Sequence, residues 1–175
     1  ASFARALKAA LREDPDVILV GEMRDTETMA LAISASETGH LVFGTLSTTT
    51  ATATVDRIIN AFPPGQQGQI RAMVSESLKA VISQTLLPRR GGLGRIAAFE
   101  ILRGTSAVGA LIREAKTFQL PGILQTGQLS GMNTMDQYLL KLAEERKVDA
   151  SAAMDRALKK EPFEKLAAEE RLEDA

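Results

Sequence analysis

The spacing of apolar residues changes several times along the chain, and each change marks an element. Phe3, Leu7, Ala10 and Leu11 recur at helical spacing, with Arg5, Lys8 and Arg12 elsewhere on the wheel, until Asp14-Pro15 ends the pattern. The spacing predicts a helix over residues 3–13. Val17 to Val20 is a short, continuous apolar run bounded by Pro15 and Gly21, which predicts a central parallel strand buried on both faces. Thr26 to Glu37 reads as a helix, opened by Asp25 as cap and closed by Gly39, and Leu41 to Leu46 reads as the next strand. Strand, helix and strand at this length make a βαβ unit, whose right-handed crossover puts both strand ends on one edge of the sheet. Glu22 and Ser47 are therefore expected on the same edge, where open α/β sheets bind ligands.

Further along, Ala53 to Phe62 reads as a helix stopped by Pro63-Pro64, and Gln66 to Leu78 as another. The strand-like runs "AVISQTLL" and "RIAAFEIL" are joined by "RRGGLG", Arg89 to Gly94, as a hairpin-like return whose glycines supply turn conformations. These two strands are expected to extend the sheet. From Thr105 the pattern is helical, broken at "QLPG" and "TGQLSG". Charges alternate from Glu144 onward, and Glu161 to Ala175 carries six acids against two bases, which predicts a solvated tail or a frayed helix.

Composition narrows the class without naming a chemistry. At 175 residues, 45% hydrophobic and 25% charged, the chain has room for one domain with a core, or a domain and a small appendage. A net charge of −1 gives no global basic field, which argues against nucleic acid or anionic lipid as the main partner. No Cys is present, so there is no disulfide framework, thiol nucleophile or Cys-ligated metal, and His40, the single His, cannot build a multi-His site. No apolar run approaches the ~20 residues of a membrane span, which makes the cytosol the default compartment. The chain opens on Ala inside an amphipathic pattern, and the expectation is that it starts within a larger protein.

The candidate chemistry begins at "DPDVILVGEMRDTE", Asp14 to Glu27, where an acid follows a buried strand. Such an acid can hold Mg²⁺ through water or polarise a water beside a nucleotide's phosphates; it can equally cap the following turn. A phosphate-cradling loop needs G-x-x-x-x-G-K-[ST], because backbone amides surround the phosphates and the Lys neutralises them. Among thirteen glycines, three pairs have the spacing, Gly39 with Gly44, Gly104 with Gly109 and Gly122 with Gly127. They are followed by Thr45, Ala110 and Gln128, so none has the Lys. The hydroxyls of "STTT", Ser47 to Thr50, can contact a phosphate or orient a water, or form a hydrogen-bonded turn capping the next helix.

The stretch "ALREDPDVILVGEMRDTETMALAISASETGHLVFGTLSTTTA" resembles the type IV pilus retraction ATPases, the PilT family of the secretion-ATPase superfamily. "DPDVILVGEMRD" is similar to the family's Walker B segment and "TGHLVFGTL" to its His box, and the likeness runs from residue 3 to about 145. "AVGALIREAKTFQLPGILQTG" resembles the retraction signature "AIRNLIRE" at Ala107, Leu111, Ile112, Arg113 and Glu114. It departs at Val108, Gly109 and Ala110, with Gly109 where the family has Arg and Ala110 where it has Asn. Pilus-assembly and type II secretion ATPases commonly carry a four-Cys zinc module, which this chain lacks.

The resemblance implies an α/β fold: the C-terminal part of a RecA-like P-loop NTPase core over residues 1–103, a helical subdomain over 104–160 and a charged tail over 161–175. It implies that the Walker A half lies upstream and that the fragment alone is inactive. By the same resemblance, Glu22 is the Walker B acid that helps position Mg²⁺ and activates the attacking water. His40 matches the first His of the His box, which senses the nucleotide or a neighbouring subunit. Ser47 falls where the second His would be, "TLST" for "TLHT", and a Ser can still donate to a phosphate oxygen but carries no charge. Leu111, Ile112, Arg113 and Glu114 form the motor's C-terminal motif. ATP and Mg²⁺ are the implied cofactors. The implied assembly is a cytoplasmic homo-hexamer, peripheral at the inner-membrane pilus base beside a platform protein, with no nucleic acid and no direct membrane insertion. A non-hydrolytic ring subunit and a pilus-assembly or type II secretion ATPase are the alternatives.

Overall fold

The alternation read from Phe3 to Gly44 folds as helix, strand, helix and strand in the computed structural model, which describes residues 3–92 and 94–173. Helix α1 (Phe3–Ala10) is followed by β1 (Val17–Val20), α2 (Thr26–Glu37) and β2 (Leu41–Gly44). The two strands pair in parallel with Val17 opposite Leu41 and Val20 opposite Gly44. α1 ends before residue 13 because the amides of Arg12 and Glu13 bond three residues back, to Ala9 and Ala10. Asp14 then takes a left-handed φ of 51° and turns the chain into Pro15. Asp25 caps α2 as expected: its carboxylate accepts from the amide and the hydroxyl of Thr28, each at 2.8 Å.

Side chains of a strand alternate between faces, and here only one face is covered. Ile18 and Val20 pack with Leu7, Ala32 and Ala35. On the opposite face Val17, Leu19, Leu41 and Phe43 are 54%, 75%, 44% and 53% exposed. The expectation of a strand buried on both faces is thus corrected: α1 and α2 supply one layer, and no described element supplies the other.

Two further helices, α3 (Ala51–Asn60) and α4 (Pro64–Ser77), are separated by Ala61, Phe62 and Pro63. Pro64 sits at the first helical turn, where a missing amide proton costs nothing. The two strand-like runs form β3 (Ala80–Pro88) and β4 (Arg95–Arg103), and α5 (Ser106–Arg113) follows. α5 packs on α4. Gly109 is what allows the approach: a Cβ there would lie 2.7 Å from the Ser75 carbonyl oxygen. Arg113 Nε donates to Ser75 Oγ at 3.3 Å across the same seam. Thr117 donates to Asp56 Oδ1 at 2.7 Å and ties the turn after α5 to α3.

β3 and β4 form their own two-stranded sheet among the described residues, and do not extend the β1–β2 pair as the sequence pattern suggested. A six-residue connection is too short for a parallel crossover, so the pair runs antiparallel. Gly91, Gly92 and Gly94 all take positive φ in that connection, and Leu93 lies outside the described residues. The reason for the separate sheet is where its apolar face goes. Beyond α6 (Leu120–Thr126) come α7 (Met135–Glu144), α8 (Ala150–Arg156) and α9 (Glu161–Glu173), and Leu87 and Ala98 share a core with Leu139, Leu142, Val148 and Phe163.

The chain accordingly forms two compact units, Ala1–Ala80 with Arg103–Leu120, and Val81–Leu102 with Pro121–Ala175. The division expected at residue 103 is replaced by one in which α5 stays with the first unit and the strand pair leaves it. The expected tail is also corrected. In α9, Phe163 is fully buried and Ala167 nearly so, while Glu170 pairs with Arg90 Nη1 at 3.0 Å and accepts from the Ala150 amide at 2.9 Å. These three residues fall on one helical face, so the helix docks although six of its other ten positions are charged. Asp174 and Ala175 lie outside the described residues.

Replacing Phe163 by Ala should destabilise the second unit by about 3–5 kcal/mol, the usual range for a buried aromatic, read by denaturant unfolding; an unchanged midpoint contradicts a docked α9. The Thr28 amide and then its hydroxyl hold the Asp25 carboxyl below the ordinary aspartate range. Its stabilising effect is full above the unfolded-state pKa and is lost as pH falls through the lower folded-state value. Asp25→Asn keeps the cap acceptor but not the titration, so its melting temperature should fall less steeply than the parent's below about pH 4.

Candidate active site

The two parallel strands end level with one another, and the chain leaving them is tied across the gap. Beyond Gly21 and Gly44 the ladder continues, with the Met23 amide donating to the Thr45 carbonyl at 3.0 Å. The Thr45 hydroxyl donates to the Gly21 carbonyl. Met23 lies over Gly44, where a Cβ would stand 2.8 Å from its sulfur. These bonds bring Glu22 and Ser47 to one point, as the βαβ reading expected: Ser47 Oγ donates to Glu22 Oε1 at 3.3 Å.

The second carboxylate oxygen is also held. Arg24 Nη2 lies 2.6 Å from Glu22 Oε2. The Arg24 hydrogen bond and charge, with a smaller contribution from Ser47, keep the Glu22 carboxyl below the usual glutamate range against a weaker opposing effect of desolvation. Glu22 is thus an anion at neutral pH, with its side chain about one third exposed, at 32%. An ionised carboxylate only accepts hydrogen bonds, and each oxygen keeps a lone pair beyond those used here. It can take the proton side of a water or face a hydrated cation. Among the described residues no three metal-ligating side chains gather in one place.

Two further hydroxyls of "STTT" serve the fold. Thr50 caps α3 by accepting from the Ala53 amide at 3.1 Å, and Thr48 bonds the Thr54 hydroxyl at 2.7 Å. The turn reading of this segment therefore holds for Thr48 and Thr50, and Ser47 departs from it.

His40 is not brought to this edge. It precedes β2 while Ser47 follows it, a separation of roughly 13 Å of strand or more. Its Nδ1 lies 3.0 Å from the Ala35 carbonyl and 3.2 Å from Thr38 Oγ1. A carbonyl cannot donate, so Nδ1 carries the proton and Nε2 is the nitrogen left for another partner.

The quartet at the end of α5, with Glu114 as its C-cap, divides by role. Ile112 is fully buried and Leu111 is half-buried, whereas Arg113 and Glu114 are exposed. Glu114 pairs with Lys116 at 2.7 Å, which holds its carboxyl below the usual range. Sequence reasoning passed over Arg24. The signal was in "VGEMRD", where a cation stands two residues beyond the acid on the same strand-to-helix segment.

Comparison with known proteins gives the family. Residues 1–97 match the family described as "Type II/IV secretion system protein". The chain is 60% identical over 156 residues to a twitching motility protein of Neisseria gonorrhoeae, covering 89% of this chain and 42% of that protein. It is 52% identical over 161 residues to the type IV pilus retraction ATPase PilT of Pseudomonas aeruginosa, covering 92% of this chain and 46% of that one. A crystal structure of the pilus retraction motor PilT with bound ADP superposes with a TM-score of 0.84 at 48% identity, over 94% of this chain and 46% of that chain. The chain thus spans less than half the length of these relatives. With a RecA-like ATPase fold and these matches, the protein belongs to the Type II/IV secretion system protein family.

Proposed function

We propose that these residues are the acid-bearing half of an ATP-hydrolysing motor that drives type IV pilus retraction and twitching motility. The observation that carries the reading is Glu22, an ionised and partly shielded carboxylate at the carboxyl edge of a parallel βαβ pair, inside a segment that resembles Walker B. In this reading Glu22 accepts a hydrogen bond from the attacking water and orients it. ATP is cradled by a Walker A loop outside these residues, since no glycine pair here is followed by the required Lys. Mg²⁺, when bound, neutralises charge on the phosphates, with Glu22 reaching it through water. Glu22 fits such a role because it is charged, acceptor-only and open on one side.

His40 in this reading presents Nε2 to the nucleotide or to a neighbouring subunit, its other nitrogen being fixed to Ala35. Ile112 anchors α5 while Arg113 and Glu114 offer a polar face to a partner in the machine. The assembly proposed is a cytoplasmic homo-hexameric ring, peripheral at the inner-membrane pilus base and engaging a platform protein there. No described helix is long and apolar enough to cross a membrane. The bare face of Val17, Leu19, Leu41 and Phe43 supports a longer protein in which a further layer covers it, and the fragment alone is proposed to be inactive.

A second reading is a non-hydrolytic ring subunit. Ser47, where the family has its second His, and Gly109 and Ala110 in the α5 signature favour it. Robust ATPase activity of the full-length protein alone excludes it.

In the full-length protein, Glu22→Gln should abolish phosphate release while ATP binding persists; near-native turnover removes Glu22 from the mechanism. The isolated 175-residue chain should aggregate through its bare strand face, and Leu19→Lys with Phe43→Lys should raise its soluble fraction. Equal solubility with and without the two lysines would show that this face is not the cause.

A further inference from the structure

Ser47 stands where the resemblance sets a phosphate-sensing group, yet its hydroxyl is turned to a carboxylate. The two partners of Glu22 differ in what they can do. Arg24 is two residues away on the same segment, 75% exposed and carried on a flexible stem, so it neutralises the carboxylate without fixing its direction. Ser47 has a one-carbon side chain on the neighbouring strand's exit. That exit is fastened to Glu22's own segment by the Met23 amide on the Thr45 carbonyl and the Thr45 hydroxyl on the Gly21 carbonyl. A short donor on a fastened frame fixes the rotation of the carboxylate plane.

We propose that Ser47 is a positioning residue for Glu22, holding Oε1 so that the carboxylate's free lone pairs face the attacking water, and that it acts through Glu22 rather than on a phosphate. The inference rests on the reading of Glu22 as the water-activating acid. Arg24 need not be displaced by that water, because Oε2 has a lone pair beyond the one its guanidinium uses. Two neighbouring hydroxyls are engaged elsewhere, Thr50 by its cap on α3 and Thr48 by its bond to Thr54.

The test is steady-state ATPase kinetics on the full-length protein, with nucleotide affinity measured separately by titration with ADP. Ser47→Ala should lower kcat about tenfold, the scale of one charge-assisted hydrogen bond, with KM and ADP affinity unchanged. Ser47→Thr keeps the hydroxyl and should restore kcat. In a Glu22→Gln background, Ser47→Ala should leave the residual rate unaltered, because the two residues act as one unit. A rise in KM or loss of ADP affinity at constant kcat overturns the proposal in favour of direct nucleotide contact, and a Ser47→Thr rate as low as Ser47→Ala overturns it as well. Native-like Ser47→Ala beside an inactive Glu22→Gln defeats the proposal alone; a native-like Glu22→Gln defeats the underlying reading too.

Discussion

The parallel register of β1 and β2 is the constraint on which the rest of the first unit depends. Val20 opposite Gly44 sets where both strands stop, and the stopping point sets where the chain can place an acid and a hydroxyl together. A slip of one residue would turn Ile18 and Val20 out of the core formed with Leu7, Ala32 and Ala35. It would also move Glu22 about 3.3 Å along the edge relative to Ser47, beyond hydrogen-bond reach. The hydrophobic face thus enforces the register, and the register delivers the polar pair. The extra bonds at Met23, Thr45 and Gly21 carry that alignment past the last strand residue to the site itself.

At that edge the electrostatics favour a charged Glu22. The Arg24 hydrogen bond is the largest influence and, with the Arg24 charge and the Ser47 hydrogen bond, outweighs the desolvation that opposes it. Such a group orients water and complements positive charge well, while its lowered proton affinity makes it a weak proton acceptor. In a reaction whose charge lies on phosphate oxygens, orientation is the larger contribution, which is the role proposed for it. His40 answers to a different geometry. It belongs to the opposite end of the same strand, so one strand of four residues separates it from Ser47.

Close approach governs α5 in a similar way. The signature that resembles the retraction family loses an Arg and an Asn here, and Gly109 uses the space by bringing α5 against the Ser75 carbonyl. Ala110 stays half-buried beside it. A side chain at 109 and this packing exclude one another, so the departure at Gly109 is linked to the helix–helix distance.

The sequence by itself determined the local elements and their order: α2 with its Asp25 cap, the βαβ unit, the glycine turn of residues 91–94 and the acid at the strand end were all legible, because each depends on spacing or on one residue's conformational preference. It also determined the family, since "DPDVILVGEMRD" and its neighbours are dense in specific residues. Only the tertiary structure decided which face of β1 is covered, that β3 and β4 form a sheet of their own, and that α9 docks through Phe163, Ala167 and Glu170. Those outcomes depend on what each apolar face meets, and some partners stand far away along the chain, as Leu87 does from Phe163. The same holds at the site. Glu22 could be read from its strand, whereas its hold by Ser47 exists only once two strands 24 residues apart are set in register.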